Sequence, residues 1–192
     1  VAMPQWKPRP GASFVRAKGE PIMTPSEPQA KALQTSPPVD MPLPAGASHR
    51  NAIPLYDFPR ERVVNHLARV APLRTSSLRS LGGHVNVFAI ESFMDELALA
   101  ADADPVEFRL RHLKDARARA VIEKAAELAG WRTREQGDGE RGRGIGFARY
   151  KNIGAYCAVL AEVEAGEALR VTRLVVAADV GLAINPDGVA NQ

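Results

Sequence analysis

Apolar side chains recur at three- and four-residue steps from residue 86 to residue 101, which is the spacing of one face of an α-helix. The apolar members of this pattern are Val87, Ile90, Phe93, Met94, Leu97 and Ala98. Glu91, Asp95 and Glu96 fall between them, so the pattern places these carboxylates on the polar faces. We therefore predict an amphipathic helix over residues 86–101.

Two further helices are predicted directly after this one, each with a recognisable start. Asp104 followed by Pro105 suits an N-cap and a first helical position, and Glu107 stands close to where a capping box places its glutamate. Asp115 begins the next helix, and Gly130 is its expected C-terminal stop. Three consecutive helices with short connections predict a compact helical cluster.

The hydrophobic period changes to that of β-strands in the last third of the chain. The predicted strands are residues 145–150, 155–164 and 169–180, all rich in β-branched or aromatic side chains. Residues 164–167 predict a hairpin turn between the last two. Adjacent apolar positions such as Val175 and Val176 break strict alternation, which predicts that the last strand is covered on both faces.

The remaining segments are less regular. Twelve of the 15 prolines fall in the first 60 residues, a density that prevents both helices and sheet ladders, so residues 1–50 predict an extended arm. Two short apolar runs, residues 53–56 and 63–67, are interpreted as strands. Residues 132–144 are polar and Gly-rich, and they predict a flexible loop.

These elements predict an α+β fold, because helices and antiparallel strands are segregated along the chain. The predicted division is a proline-rich arm (1–50), strands with a three-helix cluster (51–131), a flexible loop (132–144), and a β-hairpin with the start of another helix (145–192). Asn185 followed by Pro186 is a helix start near the last residue. This start predicts that the chain is an internal piece of a longer protein.

Composition narrows the function classes. The 25 basic and 22 acidic side chains give a net charge of +3, and they alternate instead of forming one basic face, which argues against a nucleic-acid partner. Cys157 is the single cysteine, so the sequence has no internal disulfide and no Cys-rich iron–sulfur site. In an apolar strand, its thiol is interpreted as buried and inert. The four histidines lack metal-ligand spacing.

A basic cluster lies on the predicted second and third helices. Its members are Arg109, Arg111, Lys114, Arg117 and Arg119. Because Asp115 interrupts the cluster, we interpret it as a solvated or partner-facing surface, with His112 solvated beside it.

Two loops before predicted helices have residue types suited to an anionic ligand. Residues 78–84 place Arg79, Gly82 and Gly83 at the start of the strongest helix, where backbone N–H groups and a planar guanidinium can both bind oxyanions. Residues 179–186 join a strand end to a helix start, and Gln192 follows about two turns later. The residue types alone equally allow both loops to be ordinary solvated surface.

Both loops also carry a family resemblance. The segments 78–83, 88–98 and 104–111 resemble a signature of the large subunits of molybdenum hydroxylases, the xanthine oxidase family. Residues 179–192 resemble the family segment that continues into Glu-Gly-Gly. Within the family, residues 51–56 and 146–157 are most similar to bacterial large subunits that act on isoquinoline and nicotinate.

The resemblance implies part of a molybdopterin-binding subunit. Arg79, Ser80, Leu81 and Gly82 would contact the molybdopterin, and Gln192 would hydrogen-bond it from the second loop. The implied cofactor is molybdenum–molybdopterin in its cytosine dinucleotide form. Family members hydroxylate an N-heteroaromatic compound or an aldehyde with oxygen from water. Their electrons pass to iron–sulfur clusters of a small [2Fe-2S] subunit and then to an acceptor such as cytochrome c. The resemblance leaves the compartment open between bacterial cytoplasm and periplasm or inner membrane.

The sequence also departs from the family. Ser80 stands where a glycine is usual and Leu81 where an aromatic residue is usual, so stacking over the substrate is expected to differ. The catalytic glutamate of the family lies beyond Gln192, so no catalytic residue and no metal ligand is assigned here, and the piece alone is expected to be inactive. A competing hypothesis is a non-catalytic interaction module whose proline-rich arm docks onto another protein.

Overall fold

The computed structural model describes residues 41–66, 79–132 and 137–191. Every described residue belongs to one compact unit, which spans residues 39–192. Most of the predicted proline-rich arm, Leu67 and Gln192 therefore lie outside the described residues. Residues 41–50 form a series of turns.

Three helices occupy the region where the hydrophobic period predicted them. They are α1 (Gly83–Ala100), α2 (Pro105–Arg111) and α3 (Ala116–Ala129). Asp104 and Asp115 each accept two first-turn N–H groups as N-caps, and Gly130 ends α3 in the left-handed conformation at φ 65°. The helix predictions and their capping residues are confirmed.

The strands form one three-stranded antiparallel sheet in the order β1–β2–β3. They are β1 (Arg141–Arg149), β2 (Tyr156–Ala165) and β3 (Leu169–Asp179). A 3₁₀ turn, Tyr150–Asn152, follows β1, and a short helix, α4 (Pro186–Ala190), follows β3. Ala165 pairs with Leu169, which confirms the predicted hairpin.

The core lies between the helices and one face of the sheet. α3 packs on β2 and β3, while α1 packs on α2 and β1. Ile122 and Ala125 of α3 and Ala158 and Leu160 of β2 are fully buried there. The architecture is thus α+β, as predicted. Among the described helices, none has the length and apolar character needed to cross a membrane.

Two strand predictions are wrong in the described residues. Residues 53–56 and 63–66 form no strand. Pro54 has no N–H to give to a ladder, and its neighbour Tyr56 is instead an isolated anchor that is 3% exposed in the core. In the opposite sense, β1 begins at Arg141, inside the predicted flexible loop, because Arg141 to Gly144 pair with the end of β2.

The prediction that the last strand is covered on both faces is also not met within the described residues. Leu174 is 60% exposed and Val176 is 55% exposed, whereas Ala177 on the other face is buried under the helices. β3 is therefore an edge strand with an open apolar face. Phe93, predicted to lie on the core face of α1, is likewise 56% exposed.

Glu91 and Arg109 form a buried ion pair. The sequence had predicted a polar helix face for Glu91 and a solvated or partner-facing surface for Arg109, and both predictions are wrong. Arg109 is fully buried, and its Nε donates to Glu91 Oε2 at 2.9 Å. Tyr56 Oη donates to the other Glu91 oxygen at 2.8 Å, and the Phe147 N–H of β1 donates to Oε2 at 2.9 Å. We call Tyr56, Glu91, Arg109 and Phe147 N the buried hub. Glu91 lies three residues before Met94 and seven before Ala98, on the core face of α1.

Asp95 and two backbone carbonyls complete the hydrogen bonding of Arg109 in the buried hub. Arg109 Nη1 donates to Asp95 Oδ1 at 2.7 Å and to the Pro105 carbonyl at 3.1 Å, and Nη2 donates to the Glu91 carbonyl at 2.9 Å. Burial raises the pKa of the Glu91 carboxyl, and the donors around it oppose that rise because they favour the charged form. Every polar group that the hub buries thus has a partner.

We predict that Glu91→Ala lowers the free energy of unfolding by about 3–5 kcal/mol, because it leaves the buried Arg109 charge without its main partner. Asp95→Ala is the matched control: its side chain is 47% exposed, so its loss should cost about 1 kcal/mol or less. Urea unfolding of both variants measures the difference. Equal losses in the two variants would contradict the assignment of Glu91 as the main partner.

Candidate functional site

The loop formed by residues 79–82, which we call the Arg79 loop, turns sharply into α1. Ser80 (φ 72°) and Leu81 (φ 52°) are both in the left-handed conformation, which L side chains adopt at a cost. The Gly83 N–H closes the turn on the Ser80 carbonyl at 3.0 Å. Such strained backbone persists only where its surroundings fix it.

Residues 47–50 supply the contacts that fix this turn. The Gly82 N–H donates to the Ala47 carbonyl at 3.0 Å, and Asn86 Nδ2 donates to the carbonyls of Ser48 (2.8 Å) and Arg50 (2.9 Å). A Cβ on Gly82 would lie 2.0 Å from the Ser48 carbonyl oxygen. Only glycine therefore fits at position 82, and the Arg79 loop is clamped to a second backbone segment.

Arg50 and Asn51 extend the clamp to the 3₁₀ turn after β1. The nearly buried Arg50 donates from Nε to the Ala45 carbonyl at 2.6 Å, and its guanidinium lies 5.7 Å from the centre of the Tyr150 ring. Asn51, itself left-handed at φ 60°, donates from Nδ2 to the Arg149 carbonyl (2.8 Å) and to Asn152 Oδ1 (2.7 Å). Residues 45–51 therefore connect the Arg79 loop to the 3₁₀ turn that follows β1.

Arg50, Asn51 and Asn86 were not among the residues predicted for this site. Their signal was weak, since a polar Arg-Asn pair after a proline-rich stretch is common in loops. The one usable hint was asparagine itself, which tolerates the left-handed conformation better than other non-glycine residues.

The predicted binding residues occupy accessible positions. Arg79 and Ser80 are exposed, and Leu81 and Gly82 are half-buried. The Arg79 guanidinium forms no ion pair with any other described residue. Gln192, the predicted second contact, lies outside the described residues. The structure thus presents an uncompensated guanidinium next to the N-terminal end of an 18-residue helix, where first-turn N–H groups lack partners inside the helix.

Residues 180–185, which we call the second loop, leave β3 at Asp179. Asp179 Oδ1 accepts the Gly181 N–H at 2.9 Å, and Gly181 adopts φ 73°. Asn185 Oδ1 accepts the Gly188 N–H at 3.0 Å, which confirms Asn185 as the N-cap of α4. Within the described residues, no hydrogen bond or ion pair joins the second loop directly to the Arg79 loop.

Arg117 anchors the second loop. Its Nε and Nη2 donate to the two Asp179 oxygens, each at 2.7 Å, in a bidentate pair. The hydrogen bonds from Arg117, with the Gly181 N–H, lower the pKa of the Asp179 carboxyl to about 2. Arg117, interpreted as a solvated or partner-facing surface residue, is 50% exposed and in addition forms this ion pair.

The predictions for His112 and Cys157 can be compared with the burial and contacts of these side chains. His112 is half-buried, with its Nδ1 2.8 Å from the Phe108 carbonyl and its ring against Phe58 and Phe108, so it is not simply solvated. Cys157 is half-buried in β2, and burial raises the pKa of its thiol, which agrees with an inert cysteine. No cluster of His, Cys, Asp and Glu in the described part of the chain could hold a metal ion.

Comparison with known proteins identifies the class of this chain. No protein-family model matches it. The B subunit of nicotinate dehydrogenase from Pseudomonas putida is 40% identical over 161 residues, which cover 74% of this chain and 13% of that protein. The beta subunit of isoquinoline 1-oxidoreductase from Brevundimonas diminuta is 34% identical over 141 residues, covering 71% of this chain and 18% of that protein.

Both relatives are named as subunits of oxidoreductases. Together with the motifs around the Arg79 loop and the second loop, they identify the chain as a member of the molybdenum hydroxylase large-subunit family. The chain spans less than a fifth of the length of either relative.

We predict that Gly82→Ala lowers the free energy of unfolding by about 1–3 kcal/mol, because the new methyl group meets carbonyl oxygens of the backbone. Gly144→Ala is the matched control, since a Cβ there meets no atom within 4 Å. Urea unfolding should give a lower midpoint for the first variant only. Wild-type stability in Gly82→Ala would contradict the clamp.

We predict that Arg117→Ala raises the pKa of the Asp179 carboxyl from about 2 toward the ordinary value of about 3.9. The folded-state pKa is depressed, so the contribution of this pair to stability is present above about pH 3.9 and is lost as the pH falls through the folded value. An NMR titration of the carboxyl measures the shift. Arg170→Ala, on the exposed β3, should leave Asp179 unchanged, and an unchanged titration in Arg117→Ala would refute the bidentate anchor.

Proposed function

We propose that this chain forms part of the molybdopterin-binding site of a molybdenum hydroxylase large subunit. The observation that carries the proposal is the Arg79 loop, which combines family motif residues with an exposed guanidinium, before α1, that forms no ion pair with another described residue. Family membership supports the assignment. The other parts of the large subunit would supply the remaining contacts to the cofactor and the catalytic base.

The residues present fit an anionic, phosphate-bearing cofactor. Arg79 offers a planar fork of donors for phosphate or another oxyanion. The absence of a side chain at Gly82 lets the backbone of residues 47–48 pack closely against the loop and hold it in place. The left-handed pair Ser80 and Leu81 directly precedes Gly82, whose N–H is bound by the Ala47 carbonyl. Gln192 would add an amide that can donate and accept hydrogen bonds.

In this proposal, the chain binds and orients the cofactor and carries out no chemical step itself. When bound, the molybdenum cofactor supplies the redox chemistry of hydroxylation with water-derived oxygen. The proposed cofactor form is the cytosine dinucleotide, and the proposed substrate is an N-heteroaromatic compound or an aldehyde. The proposed electron path leads to a small [2Fe-2S] subunit and then to an acceptor such as cytochrome c.

The apolar surface of the chain supports the idea that it packs against more protein. Phe88 and Phe93 of α1 are 70% and 56% exposed, and Leu174 and Val176 of β3 are 60% and 55% exposed. Apolar faces of this extent mark surfaces that pack against other protein. The competing hypothesis of a non-catalytic interaction module uses the same observation, and it differs in predicting no cofactor.

We predict that Arg79→Ala lowers the molybdenum and pterin content of the complete large subunit about 10- to 100-fold, the effect expected for one charge-assisted hydrogen-bonding group. The measurement is metal and pterin per polypeptide after co-expression with the small subunit. Arg170→Ala, an exposed arginine on β3, is the control and should keep the full content.

The two candidate functions give different results in this experiment. If the Arg79→Ala variant keeps the molybdenum content of the wild type, Arg79 is not part of the cofactor site. A wild-type protein that binds no molybdenum under the same conditions would favour the interaction module.

A further inference from the structure

Arg117 controls the direction in which the chain leaves β3. Its guanidinium binds both oxygens of Asp179 at 2.7 Å, and one of those oxygens also accepts the Gly181 N–H. A Cβ on Gly181 would lie 3.7 Å from Arg117 Nη2, so the first turn of the second loop packs directly beside the guanidinium. Loss of Arg117 would free the carboxylate that orders this turn from its contact with α3.

The Arg117 guanidinium also lies over an aromatic ring that it shares with a second arginine. Its central carbon is 4.7 Å from the centre of the Tyr156 ring, and that of Arg149 is 4.6 Å from the same centre. Tyr156 Oη donates to Asp115 Oδ2 at 2.8 Å, and Asp115 is the N-cap of α3. Cation–π contacts and this hydrogen bond therefore fix the ring between charged groups on different elements.

Arg149 connects this ring to the Arg79 loop. Its carbonyl accepts Asn51 Nδ2 at 2.8 Å. The preceding residue, Arg50, accepts a hydrogen bond on its carbonyl from Asn86 Nδ2 of α1 at 2.9 Å. An unbroken series of contacts thus runs from the start of α1 to Arg117 and the second loop, although the two loops have no hydrogen bond or ion pair of their own in the described residues.

We propose that Arg117 is a positioning residue that holds the second loop in a fixed relation to the Arg79 loop, so that both reach one anionic cofactor. This inference rests on the function proposed above and extends it to a residue outside both motifs. Arg117 acts through Asp179 and Tyr156, and it need not touch the cofactor.

The Arg117–Asp179 pair should affect the position of the second loop more than the stability of the fold. The side chain of Arg117 is 50% exposed and that of Asp179 is 33% exposed, and exposed ion pairs contribute only about 0–1 kcal/mol to stability. A bidentate arginine–carboxylate pair nevertheless fixes the relative orientation of its partners. Loss of Arg117 should therefore disturb the geometry of the second loop far more than it disturbs folding.

The test uses the complete large subunit assembled with its small subunit. Arg117→Ala should lower molybdenum and pterin per polypeptide by up to about fivefold, the largest shift that an exposed ion pair of this strength can produce. Its thermal unfolding midpoint, compared with wild type at equal cofactor content, should fall by no more than about 2 °C, because an exposed pair adds little to stability. Arg117→Lys should fail to restore the content, because an ammonium group cannot bind both carboxylate oxygens in a plane.

A double-mutant comparison checks the route through Asp179. Asp179→Asn should lose as much cofactor as Arg117→Ala, and the double variant should lose no more than either single variant, because both changes break one contact. Arg170→Ala is again the control with full content.

The outcomes separate this inference from the proposed function. Full cofactor in Arg117→Ala, together with loss in Arg79→Ala, would overturn the role of Arg117 alone. A lower unfolding midpoint in Arg117→Ala that Arg117→Lys restores along with the cofactor would make Arg117 a stabilising residue and would also overturn the inference. Full cofactor in Arg79→Ala would overturn the proposed function, and this inference with it.

Discussion

The buried pair of Glu91 and Arg109 determines how the parts of this structure fit together. One carboxylate accepts hydrogen bonds from Tyr56, from Arg109 and from the backbone of β1, so it joins the segment before the helices, α1, α2 and the sheet. A buried charge pair contributes little net stability compared with apolar packing, but losing one partner costs several kcal/mol. The pair therefore acts mainly as a constraint on which elements meet, and it fixes α1 against the edge of the sheet.

That constraint reaches the Arg79 loop because α1 begins there. The C-terminal half of α1 is held by the core through Met94 and Ala98, and its middle is held by Glu91. Its N-terminal end is held by a different set of contacts, from Asn86 and Gly82 to residues 47–50. The strained backbone at Ser80 and Leu81 is tolerated because it lies between two such fixed points.

The sequence was sufficient for the helices, their caps and the hairpin, since hydrophobic period, N-cap chemistry and a C-terminal glycine are local signals. It was insufficient for Glu91 and Arg109, because periodicity assigns charged residues to polar faces and cannot show that two charges far apart in sequence neutralise each other. The wrong strands at residues 53–56 and 63–66 have a similar origin. A short apolar run indicates burial, and Tyr56 achieves that burial without a ladder.

In the candidate site, too, some residues could be predicted from a local sequence motif and others only from tertiary contacts. Arg79, Ser80, Leu81 and Gly82 were predicted from the motif. Asn51, Arg117 and Tyr156 carry little local signal, because they act through tertiary contacts. An exposed arginine–aspartate pair is ordinarily a minor feature. Here its partner Asp179 is the last residue of β3 and also orders the turn at Gly181, so a weak pair fixes the path of a loop. Geometry is the physical reason to assign Arg117 a role in positioning, because a contact worth about 1 kcal/mol or less can still select one loop conformation when both oxygens of the carboxylate are bound.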